Sequence, residues 1–295
     1  MAAALFALLP SLRLGAQELK SAWFLDNFIY KYELNPAMHD SETTSMFVGF
    51  AINNFGLDLH TNVGANSFIF PRNGELVHFM NGEVSSDEFL AGIPAAGVRA
   101  NVNLNYDLLS FGFKAGKHGF FTFDARLRSK TDVSASKDFF GQLKNLELSS
   151  RRGAEYQFDY VGVDTDNYLE LALDYSFQVA QGVRLGVAAK GLLGLAKAGA
   201  SLSDGVYVNF IDDDVAMATA KARLDLSSKM LNVPVDGGIY DFTHIGFGKV
   251  GLSGFGGAVD LGVSWDSPFG LSLSAAVLDL GAMSWTNTIH GENTL

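Results

Sequence analysis

The feature that most constrains this chain is a run of strict two-residue alternation. From Tyr168 to Val179, the residues Leu169, Leu171, Leu173, Tyr175, Phe177 and Val179 fall on one face, and Glu170, Ala172, Asp174, Ser176 and Gln178 on the other. Extended backbone, whose successive side chains point to opposite sides, keeps such a pattern in register. Ala180, Gln181 and Gly182 then supply a tight turn. The return segment places Val183, Leu185 and Val187 on the apolar face and Arg184, Gly186, Ala188 and Lys190 opposite. The run exceeds the roughly 5–6 residues usual for strands of soluble proteins. It matches the length that a tilted strand needs to cross a bilayer.

The same grammar recurs along the chain. Phe121, Phe123, Ala125 and Leu127 alternate with Thr122, Asp124, Arg126 and Arg128, so this polar row carries charge. Val102, Leu104, Tyr106 and Leu108 alternate with Asn101, Asn103, Asn105 and Asp107, after which the phase jumps to Leu109, Phe111 and Phe113. A one-residue slip of this kind predicts a β-bulge. Val259, Leu261, Val263 and Trp265 turn at residues 266–270 and return through Leu271, Leu273, Ala275 and Val277. Further strands are expected at 46–63, 153–162, 199–207, 214–226 and 282–290, which gives about 11 to 13 by the alternation template.

Two segments read as helices instead. Ser85 and Glu88 have capping-box spacing before Phe89 and Leu90, and 136–147 sets Phe139, Phe140, Leu143 and Leu146 on one side. Both are placed in loops or at a barrel mouth. The glycine-rich stretch 227–257 lacks sustained periodicity and reads as a long loop entering a strand. The expected fold is all-β, an antiparallel transmembrane β-barrel with short loop helices.

Composition narrows the functions available. Lys+Arg number 21 against Asp+Glu 32, and the resulting net charge of −11 opposes binding to nucleic acid. Without cysteine there is no disulfide and no thiolate metal site. The uncharged run Ala2 to Leu12, followed by Arg13 and Ala16, is expected to be a signal peptide over residues 1–16, leaving 17–295 as the barrel. Gly246-Phe247-Gly248-Lys249-Val250-Gly251 fits a dinucleotide fingerprint in spacing alone. The glycine-rich residues after it cannot continue as a helix, so a strand or loop is the better reading. The acidic groups Asp164-Thr165-Asp166-Asn167 and Asp212-Asp213-Asp214 lack calcium-loop spacing and are expected to be solvated turns. The six histidines are scattered, no nucleophile motif is present, and neither catalysis, a metal nor a cofactor is expected.

Leu34-Asn35-Pro36-Ala37 after the aromatic segment Trp23 to Tyr32 resembles the N-terminal element of FadL-like outer-membrane barrels and their PorV-type relatives in Bacteroidetes. Phe111-Gly112-Phe113-Lys114, Phe121-Thr122-Phe123, Gly254 to Gly262 and Leu273 to Gly281 look like an uncharacterised Bacteroidetes barrel family related to them. That resemblance implies an outer-membrane barrel of 14 strands with an N-terminal segment inside. Asn35 and Pro36 would then sit in the plug or at the first strand, and closing strands would follow Leu295. It implies a channel or binding barrel for small hydrophobic molecules, or alternatively a surface scaffold or adaptor, for example for type IX secretion. Outer-membrane lipid is the expected partner, with a small hydrophobic ligand or a secretion protein beside it. The residues expected to face the lumen are Asn35, Pro36, Glu170, Asp174, Arg184 and Lys190, with Glu170 and Asp174 facing Arg184 and Lys190 across one hairpin.

Overall fold

The computed structural model describes residues 25, 28–39, 44–50, 54–144, 153, 155–212, 215–236, 239–240, 244, 246–286 and 288–294. The signal-peptide expectation at 1–16 lies outside them. The strands in chain order are β1 (Met46–Phe50), β2 (Phe55–Thr61), β3 (Ile69–Arg72), β4 (Glu75–His78), β5 (Val98–Ala115), β6 (Gly119–Ala135), β7 (Glu155–Phe158), β8 (Val161–Ala180) and β9 (Val183–Asp212). They continue as β10 (Val215–Ser228), β11 (Leu231–Asn232), β12 (Val235–Asp236), β13 (Ile239–Tyr240), β14 (Gly246–Phe247), β15 (Gly254–Asp266), β16 (Ser272–Trp285) and β17 (Thr288–Thr294). Two short helices, α1 (Ser86–Ala91) and α2 (Lys137–Lys144), interrupt them. Among the described residues no helix is long and apolar enough to cross a membrane.

Among the described residues eleven strands form one antiparallel sheet, but they occupy seven columns. β1 and β2 lie end to end along β5, β7 and β8 along β9, and β10 and β15 along the other side of β9. β16 and β17 in turn continue one another beside β15 and β10. The columns therefore run β1/β2, β5, β6, β7/β8, β9, β10/β15, β16/β17, each antiparallel to the next. This corrects three sequence expectations. Residues 199–207 are not a separate strand but the upper part of β9, 153–162 divides between β7 and β8, and 282–290 divides between β16 and β17. Among the described residues no pairing joins the first and last columns.

Connections differ at the two ends. Tight turns at 116–118, 181–182 and 267–271 use Gly116, Gly182 and Gly270 at positive φ, a conformation that glycine adopts most readily. At the other end, 62–97 and 136–160 are long. Residues 62–97 carry β3, β4 and α1, and 136–160 carry α2 and β7. Ser85 caps α1 by accepting a bond from Glu88 N at 3.2 Å, as its spacing predicted. This looped end has a small apolar core of Val63, Phe70, Val84, Phe89, Ile93 and Val98, with Phe140 of α2 packed against it.

The sheet itself is polar on one face and apolar on the other. Asp107, Ser110, Thr122, Asp124, Arg126, Glu170, Asp174 and Ser176 are buried, whereas Phe113, Leu173, Tyr175, Leu185, Leu261, Trp265, Leu273 and Val277 are exposed. The buried polar face is concave. β6 and β16 are four columns apart, about 19 Å on a flat sheet, yet Arg128 Nη1 of β6 lies 3.7 Å from Asp279 Oδ2 of β16. Two side chains can meet over that span where the sheet curls toward itself. The predicted bulge is present, as the β5–β6 register slips between Asp107 and Leu109.

Candidate functional site

Residues 28–39 lie against the concave face and touch columns across its width. Tyr30, in a 3-10 turn over Ile29–Glu33, accepts a bond from Ser110 Oγ of β5 at 3.4 Å. The Tyr32 hydroxyl donates to Asp124 Oδ1 of β6 at 2.6 Å. Asn35 Nδ2 donates to the carbonyls of Val263 on β15 and Ala275 on β16 at 3.1 and 3.2 Å, while its own Oδ1 accepts from Ala37 N at 2.9 Å. The His39 ring stacks between Tyr32 and Phe120, with centroids 4.7 Å from each.

The close seat of Asn35-Pro36-Ala37 has a cause in the wall. Gly186 of β9 and Gly262 of β15 are cross-strand partners, and Ala276 of β16 is the next residue in that row. A Cβ on Gly262 would strike Asn35 Oδ1 and Pro36 Cδ, and one on Gly186 would strike the Pro36 carbonyl and Ala37 N. These glycines serve close backbone approach. Asn35 and Pro36 accordingly sit on the concave face, and neither lies in a strand.

Beside this segment lies a charged network. Arg126 of β6 reaches Glu170 of β8 at 3.2 Å, Asp124 at 3.3 Å, Asp107 of β5 at 3.4 Å and Glu33 of the N-terminal segment at 3.7 Å. Arg128 reaches Glu170 at 2.9 Å. Lys190 of β9 meets Asp260 of β15 and Asp279 of β16 at 2.6 Å each, and Glu170 at 3.9 Å. Asp279 is turned inward by a bulge. Its φ is 55°, the β15–β16 register slips between Val259 and Leu261, and its amide donates to Asp260 Oδ1 at 2.6 Å. Aspartate tolerates this left-handed conformation better than most residues.

All six residues expected inside are on the concave face, but their pairing differs from expectation. Glu170 and Lys190 do approach each other. Asp174 makes no ion pair among the described residues and has a buried, unpartnered Oδ2, and Arg184 donates to Ser176 Oγ at 3.0 Å. The strand register explains this, because Asp174 is opposite Ala188, and Arg184 is opposite Gln178. Sequence reading did not single out Tyr32, Glu33 and His39 as partners of the wall. A cue was available in the charged row Asp124, Arg126, Arg128, which needs counter-groups that its own strand does not supply. The group Asp164 to Asn167 is also not a turn but part of β8. Asp213 and Asp214 lie outside the described residues.

Ionisation on the N-terminal segment follows from burial. The His39 imidazole is pushed down to about 3, first by desolvation and then by nearby Arg184, so it is neutral. The Glu33 carboxyl is held well above the usual range by burial, against the pull of Arg126. The Tyr32 phenol is raised by burial and then by Asp124. Among the described residues no group of three His, Cys, Asp or Glu is placed to hold a metal ion.

Above the network two cavities open. One of about 330 Å³ is lined by Lys130, Tyr168, Leu192, Lys197, Met283 and Trp285, and another of about 600 Å³ by His60, Arg99, Asn101, Asp132, Ser134 and Tyr160.

These elements define an all-β protein, built on an eleven-stranded curled antiparallel sheet with its polar face packed by its own N-terminal segment. Over residues 36–295 the chain matches the profile of a family of unknown function (DUF5723), and it belongs to that family. No curated protein and no solved structure matches it.

Proposed function

We propose that this protein is an outer-membrane β-barrel component with a closed interior, acting as a non-catalytic scaffold at its looped end. The inverted polarity of the sheet is the observation that carries the membrane reading. A wall with buried Arg126, Glu170 and Lys190 and exposed Leu173, Leu261 and Trp265 suits an apolar medium outside it. Tight turns at one end and long loops at the other fit the same reading. Outer-membrane lipid is then the partner of the apolar face.

The filled concave face supports the scaffold over a channel, because residues 28–39 and the ion pairs occupy the space that a solute would cross. The packed loops, with Phe140 of α2 inside their core, present an ordered surface to a partner such as a secretion protein. Expression with an export signal tests the membrane reading: the protein should fractionate with outer membranes and migrate differently on gels before and after heating. Recovery as a soluble, heat-indifferent protein would overturn it. In planar bilayers the wild type should show no steady conductance. Gly262→Val, which displaces Asn35 and Pro36, should conduct.

A second reading, a binding barrel for a small, largely hydrophobic molecule, is favoured by the 330 Å³ cavity with Leu192, Met283 and Trp285 in its lining. Its size falls within the usual range for ligand pockets. Trp285→Ala should then weaken capture of a hydrophobic probe from a panel, and absence of any capture by the wild type removes this reading.

A further inference from the structure

Three buried oxygens of the concave face have no hydrogen-bond partner and come from neighbouring sheet positions: Thr122 Oγ1 and Asp124 Oδ2 on β6, and Asp174 Oδ2 on β8. Thr122 and Asp174 are directly opposite one another, and Asp124 is opposite Ala172, two residues from Asp174. The two carboxylates thus hold diagonal positions on the same face, whose Cα atoms are about 7–8 Å apart. Thr122 and Asp124 are 0% exposed and Asp174 is 4% exposed. Tyr32 closes the site from the N-terminal segment by bonding to Asp124 Oδ1.

The charges nearby do not satisfy these oxygens. Arg126 Nη2 lies 3.3 Å from Asp124 Oδ2, outside hydrogen-bonding geometry, and also reaches Glu33, while Nη1 reaches Glu170. Lys190 is held by Asp260 and Asp279. Asp174 makes no ion pair among the described residues, a buried carboxylate without a counter-charge is costly, and oxygen-only donors select a hard cation. Only two carboxylates meet here, and no three acidic or histidine groups converge among the described residues, so a monovalent ion suits the site better than calcium.

We propose that Thr122, Asp124 and Asp174 bind a sodium ion beneath Tyr32. The inference does not rest on the membrane reading, since it concerns the polar face whatever medium covers the other. Detergent-purified full chain should unfold at a temperature that rises with sodium chloride, by about 3 °C or more over N-methylglucamine chloride at equal ionic strength and pH. Asp174→Asn and the near-isosteric Thr122→Val should each abolish that difference. Broadening of the ²³Na resonance by wild type but not by Thr122→Val gives a readout independent of unfolding, should Asp174→Asn not fold. Equal unfolding in the two salts without broadening overturns the proposal. So does an equal response to potassium or calcium, or a sodium response that survives both substitutions.

Discussion

The wall and the looped end assign polarity in opposite ways. In the wall, charge is inside and hydrocarbon outside: Arg126 is enclosed by four carboxylates, while Leu261 and Trp265 are exposed. At the looped end Phe79 stacks on Phe89 at 4.4 Å inside an apolar core, and the Arg72–Glu88 ion pair lies toward solvent. One chain therefore follows two rules. Water outside drives apolar groups inward at the loops. On the membrane reading proposed above, an apolar medium covers the convex side of the wall, which then needs no apolar core.

The sharpest way to break this comparison is to remove the central wall cation. Arg126→Ala leaves Asp107, Asp124, Glu170 and Glu33 buried together without their shared partner, and it should destabilise the folded wall by about 3–5 kcal/mol. Denaturant unfolding in detergent checks it, and a loss under 1 kcal/mol would show that the interior is solvated. Phe89→Ala makes the complementary cut in the apolar core, where deleting a buried ring should cost about 3 kcal/mol. Proteolysis should then open residues 62–97 while the wall stays intact. Simultaneous loss of both regions would mean that they fold as one unit.

Acid should act on the N-terminal segment through His39. The ring is neutral in the folded state with its pKa pushed down to about 3, whereas the unfolded ring titrates near 6.5. The unfolded state thus binds more protons between those values, so the stability from burying neutral His39 is present above about pH 6.5 and lost progressively as pH falls toward 3. Fluorescence of a probe on residues 28–39 should report weaker docking across that window, and His39→Phe should flatten the response. An unchanged slope in that variant assigns the acid sensitivity elsewhere. The smallest effect is expected from Ser85→Ala, which removes the α1 cap and should cost about 1 kcal/mol, read as faster amide exchange in α1 alone.

Much of the wall was legible in the sequence, because strict alternation fixes both the strand and the face each side chain occupies. The hairpin of β8 and β9, the slip after Asp107 and the shared face of Glu170, Asp174, Arg184 and Lys190 follow from that rule. What it could not supply was the pairing of columns. Two segments that share a column look like two strands in a count, and one strand as long as β9 looks like several. The seat of Asn35 was recognisable as an element but its cause was not. It depends on Gly186 and Gly262 becoming neighbours, a long-range relation that local periodicity does not encode. Asp279 was likewise hidden, since a bulge overrides the alternation that would have predicted its direction.

The end-to-end arrangement of β10 and β15 has a practical consequence. The chain leaves the wall after Ser228 and rejoins the same column at Gly254, with Lys229 N bonded to Ser253 Oγ and Ser253 N to the Gly194 carbonyl, both at 2.7 Å. Departure and return are thus stitched at one point of the sheet. The length of what lies between is decoupled from the register of everything else. Residues 229–253 form a port into which an epitope or a small folded module can be spliced without re-pairing any strand of the wall.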